Sequence, residues 1–516
     1  MISTMFRRGM VGCAAMALSA FGFLATSAAL AGPMTGGLEL WLDANDAATF
    51  TFSSGNSVSE WRDKSGNANH AATGSNYPTL QPSVIGGRPA VSFNRTPLTV
   101  AGGVDIGANE DRTAFLVMNY SVSTQNSEIF GTGTGNMVDV GNWSSAWRLR
   151  LRQGDNTFSA ANSLPAGSHL VAIQGDAAGS HAWRNGANII DSTNKHFHWA
   201  MNANLGIGGA EFAGREYIGD LAEVLIYQGT PNRYEFNNTS AYLQDKYGLA
   251  GPYAKIAPPP IPGLALWLDS ADAGTVTVDS GGNVTAWRDK SGGGHDATPL
   301  HSPPGPAWVD DAIGGLPAVE FDQSSRTVMG IAGDLDIAAG QERTLFVVMD
   351  YDTLLGNNEI LGNSSGQMID VGLWTPSGNQ DERLRLRDGS LNAFSDPGDM
   401  PQGPHILVVQ GNDGGSLAYL DGNLILDSPN LAFHYALEEA LRIGGTDFNG
   451  RDFEGRLAEI LLFDRALAYS EMAGVGNYLG QKYLIETQFV PELGSLVLLV
   501  LGGLCLVGLG WRKRAR

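Results

Sequence analysis

Two short motifs hold the polar residues of this chain best placed for chemistry: Trp61-Arg62-Asp63-Lys64-Ser65-Gly66 and Trp287-Arg288-Asp289-Lys290-Ser291-Gly292. A carboxylate followed by a hydroxyl and a glycine can offer Ca²⁺ the hard oxygen ligands it takes, from the side chain and from loop carbonyls. The same residues also suit a plain turn, in which Asp accepts backbone N–H groups and Gly takes a positive φ. Of the two readings the turn is the simpler. Asp43 and Asp269 each close an apolar Leu-Trp-Leu-Asp or equivalent run and are open to the same pair of readings. Trp143, Trp147 and Trp374 stand near loops poor in apolar neighbours. An exposed indole covers the C–H face of a pyranose, which makes these three the candidates for glycan binding. Trp41, Trp61, Trp267 and Trp287 sit in strand-like runs and are expected in the core.

Other chemistry is thinly represented. No Gly-x-Ser-x-Gly elbow, His-Glu-x-x-His helix or Walker loop is read from the chain. Of the nine histidines, His196 and His198 form the one tight pair, which suits a surface strand better than a zinc site. No catalytic residue is assigned. The two cysteines, Cys13 and Cys505, fall in the terminal hydrophobic segments, leaving no disulfide between them. A formal net charge of −21 disfavours nucleic acid as a partner.

The elements that position these residues come as a repeat. Gly37-Leu38-Glu39-Leu40-Trp41-Leu42-Asp43 returns as Gly263-Leu264-Ala265-Leu266-Trp267-Leu268-Asp269, and the Trp-Arg-Asp-Lys-Ser-Gly motif returns at the same offset. Leu221-Ala222-Glu223 matches Leu457-Ala458-Glu459 at a slightly larger one. A period this long means duplicated domains, here 36–250 and 263–486. Between them, 251–262 is rich in proline and suits a semi-rigid polyproline spacer. Apolar runs at 114–118, 170–173, 345–349 and 406–409 predict core strands, and 147–152 and 383–387 alternate leucine with arginine. Asn185-Gly186 and Asp421-Gly422 predict hairpin turns. Each copy ends in a helical pattern, at 236–247 and 472–483. The expected fold is all-β: two tandem antiparallel β-sandwich (jelly-roll) domains, each with a short C-terminal helix. Gly reaches 68 residues while charged residues are only 16%, which suits many tight turns over a large core.

The two ends predict export. Arg7 and Arg8, an apolar run and Ala29-Leu30-Ala31 spell a signal peptide over 1–31, cleaved between Ala31 and Gly32. At the other end Val490-Pro491-Glu492 precedes an apolar stretch, 493–511, and a basic tail from Arg512 to Arg516. Nineteen residues in a helix reach about 28 Å, nearly a bilayer core.

The opening Gly-Leu-x-x-Trp-Leu-Asp, then Trp-x-Asp-Lys-Ser-Gly, Ile207-Gly208-Gly209 and Gly219-Asp220-Leu221-Ala222-Glu223 together resemble the laminin-G-like (concanavalin A-like) jelly-roll family. The second copy resembles it further, with Asp464-Arg465-Ala466-Leu467, which Gln228-Gly229-Thr230-Pro231 replaces in the first. The resemblance implies a sandwich fold and no single function. A related fold hosts glucanases with a Glu-x-Asp-x-x-Glu strand; Glu320-Phe321-Asp322 begins that spelling, but position 325 is Ser. The tail resembles the PEP-CTERM sorting signal, with Leu493 where the family has Pro. That implies an exosortase-type protease as partner, transient inner-membrane anchoring, and release to the surface of a Gram-negative bacterium; a permanent anchor with a periplasmic ectodomain is the alternative. The functional expectation is a noncatalytic surface or matrix protein binding a glycan or a partner, with calcium as the candidate cofactor. The alternatives are a carbohydrate-active enzyme and a structural spacer.

Overall fold

The computed structural model describes residues 32–489, apart from 121–125, 134, 211–213, 302–303, 352–355, 364–365, 374–381, 438–440 and 447–449. Ala31 and the rest of the signal segment, Trp374, and the tail with Val490, Pro491 and Glu492 lie outside the described residues.

The protein is all-β, with antiparallel ladders that run within 38–228 and within 264–463. The strand Arg343–Tyr351 shows why. Leu345, Val347 and Met349 face an inner core, while Phe346 and Val348 face outward into a second cluster, so the run is apolar throughout. Arg112–Tyr120 does the same in the first half, with Ala114, Leu116 and Met118 inward and Phe115 and Val117 outward. Two-sided burial requires a layer on each face.

In the second half those layers are an 8-stranded sheet and a 9-stranded sheet enclosing the inner core. The outer face of the first sheet is covered by α2 (Tyr469–Tyr483), through Met472, Val475 and Leu479. The first half repeats this arrangement with α1 (Arg233–Tyr247), whose Leu243 and Tyr247 cover its sheet. There the two strand sets are joined into one 17-stranded network through the Ser57–Thr79 pairing. Among the described residues no helix lies on the outer face of the second sheet in either half.

The hairpins form where expected. Asn185 and Gly186 take φ of 47° and 84°, and Asp421 and Gly422 take 50° and 90°, the positive values a type I′ turn needs. The Pro-rich segment differs from a free spacer. Tyr253 packs on Phe236 of the first half, while Ile256 and Ile261 pack into the helix-side cluster of the second. Its apolar side chains find surfaces on both sides, so proline extends the backbone without detaching it.

Candidate functional site

The repeated motifs converge. Trp41 donates its indole N–H to Glu223 at 2.7 Å, and Lys246 Nζ bridges Asp43 at 2.9 Å and Glu223 at 2.7 Å. Lys64 reaches Asp43 at 3.0 Å and sits 4.3 Å from the centre of the Trp41 ring. In the second half Trp267 donates to Glu459 at 2.8 Å, Lys482 bridges Asp269 at 2.6 Å and Glu459 at 2.8 Å, and Lys290 reaches Asp269 at 2.9 Å. Asp43 and Asp269 are thus the acid partners of two lysines each. Burial opposes ionisation of Asp269, but Lys290 and Lys482 outweigh it and hold its pKa down at about 2. Burial and the Asp269 charge push Glu459 the other way. With Asp46 on Lys64 at 3.0 Å and Asp272 on Lys290 at 2.8 Å, each lock sets two lysines among three acids, two of them buried, under the terminal helix. Trp41 and Trp267, expected in the core, are half-buried roofs over this lock, with their indole N–H groups on its glutamates. Trp61 and Trp287 are fully buried as expected.

Asp63 and Asp289 are clasps between a loop and the opening strand. Asp63 accepts from the N–H of Trp41 (2.8 Å), Ser65 (2.9 Å) and Asn69 (3.0 Å) and from the Ser65 hydroxyl (2.6 Å). Asp289 accepts the matching set from Trp267, Ser291, His295 and the Ser291 hydroxyl. A calcium ion would have to displace these donors. Among the described residues no group of three or more His, Cys, Asp or Glu is arranged to hold a metal.

The outer face of the second sheet carries a different constellation. In the first half Glu128, Asp139, Arg150 and Phe158 lie opposite one another across four adjacent strands, and Glu216 extends the row by an isolated bridge to Glu128. In the second half Glu359, Asp370, Arg385 and Phe394 form the same row, extended by Asp452. Arg150 clamps Asp139 with two nitrogens, one at 2.8 Å, and Arg385 clamps Asp370 likewise, one at 3.0 Å. Burial outweighs the arginine and raises both aspartates to about 6. Glu128 is buried beside Asp139, and burial first, then that charge, lifts it to about 7. The Ala210 backbone N–H is directed at Glu128 without closing a well-formed hydrogen bond. Glu359 is also raised to about 7; Thr446 donates to one oxygen, and the other has no hydrogen-bond partner among the described residues.

Aromatics finish the row at its exposed end. The Arg150 guanidinium lies 4.8 Å from the Trp143 ring, which meets Phe158 edge-on at 5.2 Å. Phe158 is 38% exposed and Phe394 39%, and Arg383 lies 5.2 Å from the Phe394 ring. Trp147 points the other way: it is half-buried against the inner core, edge-on to Tyr120 at 5.9 Å. Strict alternation explains this, since Trp147 shares the inward face of Leu149 and Leu151.

Neither the row nor the lock was legible as a site from sequence. The arginine alternation placed Arg150 on a polar face, and the repeated Leu-Ala-Glu placed Glu223 and Glu459 at matching positions, but only pairing across strands joins them to partners. His198, expected on a surface strand, is buried in a turn region, where its Nε2 meets the Asp176 carbonyl at 2.8 Å. The Gly-x-Ser-x-Gly spelling, read as absent, does occur at 362–366; Ser364 lies outside the described residues, and the flanking strands pair antiparallel, whereas a nucleophile elbow needs a strand-to-helix turn.

No family model and no curated protein matches the chain. Among solved structures, domain 4 of an extracellular arabinanase from Geobacillus stearothermophilus, in complex with arabinotriose, is 13% identical with a TM-score of 0.30, covering 42% of this chain and 97% of that one. A Trypanosoma rangeli sialidase is 14% identical with a TM-score of 0.29, covering 82% and 66%. The binding domain of botulinum neurotoxin serotype D is 10% identical with a TM-score of 0.31, covering 72% and 92%. Likeness at this level carries no functional weight.

Proposed function

We propose that this is an exported, noncatalytic surface or extracellular-matrix protein, whose two laminin-G-like jelly-roll domains each bind a glycan at the exposed aromatic end of the row on the outer face of the second sheet. One observation carries the reading. The Glu–Asp–Arg–Phe row recurs in both halves on the outer face of the second sheet, its acids buried and its phenylalanine exposed. Phe158 with Trp143, and Phe394, offer ring faces for sugar C–H groups. The Asp-clamped arginines are pre-set, which lowers the ordering cost of binding. The N-terminal signal and the sorting tail deliver the protein to the surface in this reading, with an exosortase-type protease removing the tail.

A glycan array probed with the 32–489 protein tests it. Binding of one glycan class, lost in Trp143→Ala combined with Phe394→Ala while the far-ultraviolet circular dichroism is unchanged, supports the proposal. A blank array turns the reading to a structural spacer, and release of products from polysaccharide turns it to an enzyme. The intact mass of protein recovered from its host tests delivery: retention of residues 496–516 means a permanent inner-membrane anchor.

A further inference from the structure

The two halves cap their terminal helices by different means. In the first half Arg88 follows the Gly86-Gly87 turn; its Nε donates to the Lys246 carbonyl near the end of α1, and its other nitrogen donates to Asn45 at 3.2 Å. The helix end rests directly on this turn, since a Cβ on Gly86 would overlap the Tyr247 carbonyl. The second half repeats the seat: a Cβ on Gly314 would overlap the Tyr483 carbonyl. Its sequence there is Ile313-Gly314-Gly315-Leu316-Pro317, against Ile85-Gly86-Gly87-Arg88-Pro89 in the first half. The capping arginine has become Leu316, and Asn45 has become Ala271. Both replacements are fully buried and apolar.

The missing polar groups arrive from the first half. Arg233, the first residue of α1, donates Nε to the Gly314 carbonyl at 2.9 Å and a second nitrogen to the Lys482 carbonyl. Asn232, the helix N-cap, donates to the Ala271 carbonyl at 3.0 Å. Tyr234 lays its ring 4.2 Å from Lys482 Nζ and joins Leu316, Ala271 and Met34 in one apolar cluster. Lys482 is completely enclosed as a result, whereas the side chain of its counterpart Lys246 keeps 11% exposure. A cation at the carbonyl end of a helix satisfies orphan acceptors and the helix dipole together.

We infer that the first turn of α1, Asn232–Glu235, is a docking element whose partner is the Gly-Gly turn and helix end of the following copy, and that it works in one direction only. The donor is missing from the second half, where α2 is entered through Ala468-Tyr469-Ser470-Glu471 and Glu471 is held by Arg465 at 2.7 Å and 2.9 Å. The receptor is already filled in the first half by Arg88 and Asn45. A head-to-tail contact between like units would otherwise propagate into an open filament. Here both ends are stopped, so the clasp closes once, inside one chain, and holds the two outer faces in a fixed relation.

Four full-length proteins test this: wild type, Arg233→Ala, Arg88→Ala, and Arg233→Ala with Leu316→Arg. The readouts are the rate of proteolytic cutting within 251–262 and the melting profile. Arg233→Ala removes two charge-assisted hydrogen bonds, should speed cutting by at least about tenfold, and should lower the melting of the second half. Arg88→Ala should lower the melting of the first half and leave cutting unchanged. Restoring an arginine at 316 should recover melting but not protection, because the helix end is then capped from within. Wild-type cutting and melting in Arg233→Ala would overturn the inference, as would faster cutting in Arg88→Ala. Where the double variant does not fold, the distance between spin labels placed one in each half decides: Arg233→Ala should broaden it, and an unchanged distribution overturns the clasp.

Discussion

Trp41 and Glu223, far apart in sequence, share a hydrogen bond of 2.7 Å, and Trp267 and Glu459 share its counterpart at 2.8 Å. Each bond ties the opening strand of a copy to its closing strand, and each glutamate is also reached by a lysine from the terminal helix. Three distant pieces of chain are therefore fastened at one point.

Breaking that point in the drier copy should be costly. Lys482→Met leaves Asp269 and Glu459 buried without their shared cation, and the loss should be about 3–5 kcal/mol. Lys64→Met, at a partly exposed site of the first copy, should cost clearly less. Urea unfolding of both variants checks the ranking; equal losses would mean that the lock is not held by its buried charges.

Acid should favour the folded state over part of its range. Glu128 and Glu359 titrate at about 7 when folded, against an ordinary value of 4.5, so the folded protein binds more protons between those two values. Asp139 and Asp370, raised to about 6, act in the same sense. Their contribution is therefore complete below about pH 4 and declines as the pH rises to about 7. The difference in unfolding free energy between wild type and Glu128→Gln/Glu359→Gln should shrink or reverse across that window. A difference that does not vary with pH would show that both glutamates are solvated.

Asp63→Ala removes the acceptor of four donors at once and should destabilise the first half by about 1–3 kcal/mol. With those donors in place, millimolar Ca²⁺ should not move the melting temperature of the wild type. A rise reversed by EDTA would give the loop to calcium by linkage.

The tryptophans should separate by role. Trp61→Ala empties a fully buried site and should cost about 3–5 kcal/mol. Trp143→Ala removes a ring from the outer face and should leave the unfolding free energy within about 1 kcal/mol. Denaturation of both is decisive, and a large loss from Trp143→Ala would make that ring structural.

Most of the fold could be read from the chain because its signals are local. The apolar run at 345–349, the Leu/Arg alternation at 147–152 and the Asp421-Gly422 turn each depend on neighbours within a few residues. The candidate site could not be read this way. Glu128 meets Asp139, and Asp139 meets Arg150, through register set by hairpins and a bulge, and nothing in the spacing of the three announces that they touch. The clasp was hidden for another reason: Arg88 and Leu316 differ at one aligned position, and the difference gains meaning only when Arg233 is seen to fill it.

The strand Leu38–Asp43 pairs with Ile218–Gln228 alone, and the latter also forms the middle of its sheet beside Arg112–Tyr120. A ribosome delivers these pieces in order, so the first strand waits, unpaired, until nearly the whole copy has emerged. Phe115 and Val117 wait longer still, since α1 comes last. Loop closure over such separations is slow, and the waiting surface is a sticky one. Each copy therefore has a vulnerable interval that ends only with its final helix, and truncation just before that helix leaves Phe115 and Val117 without their cover.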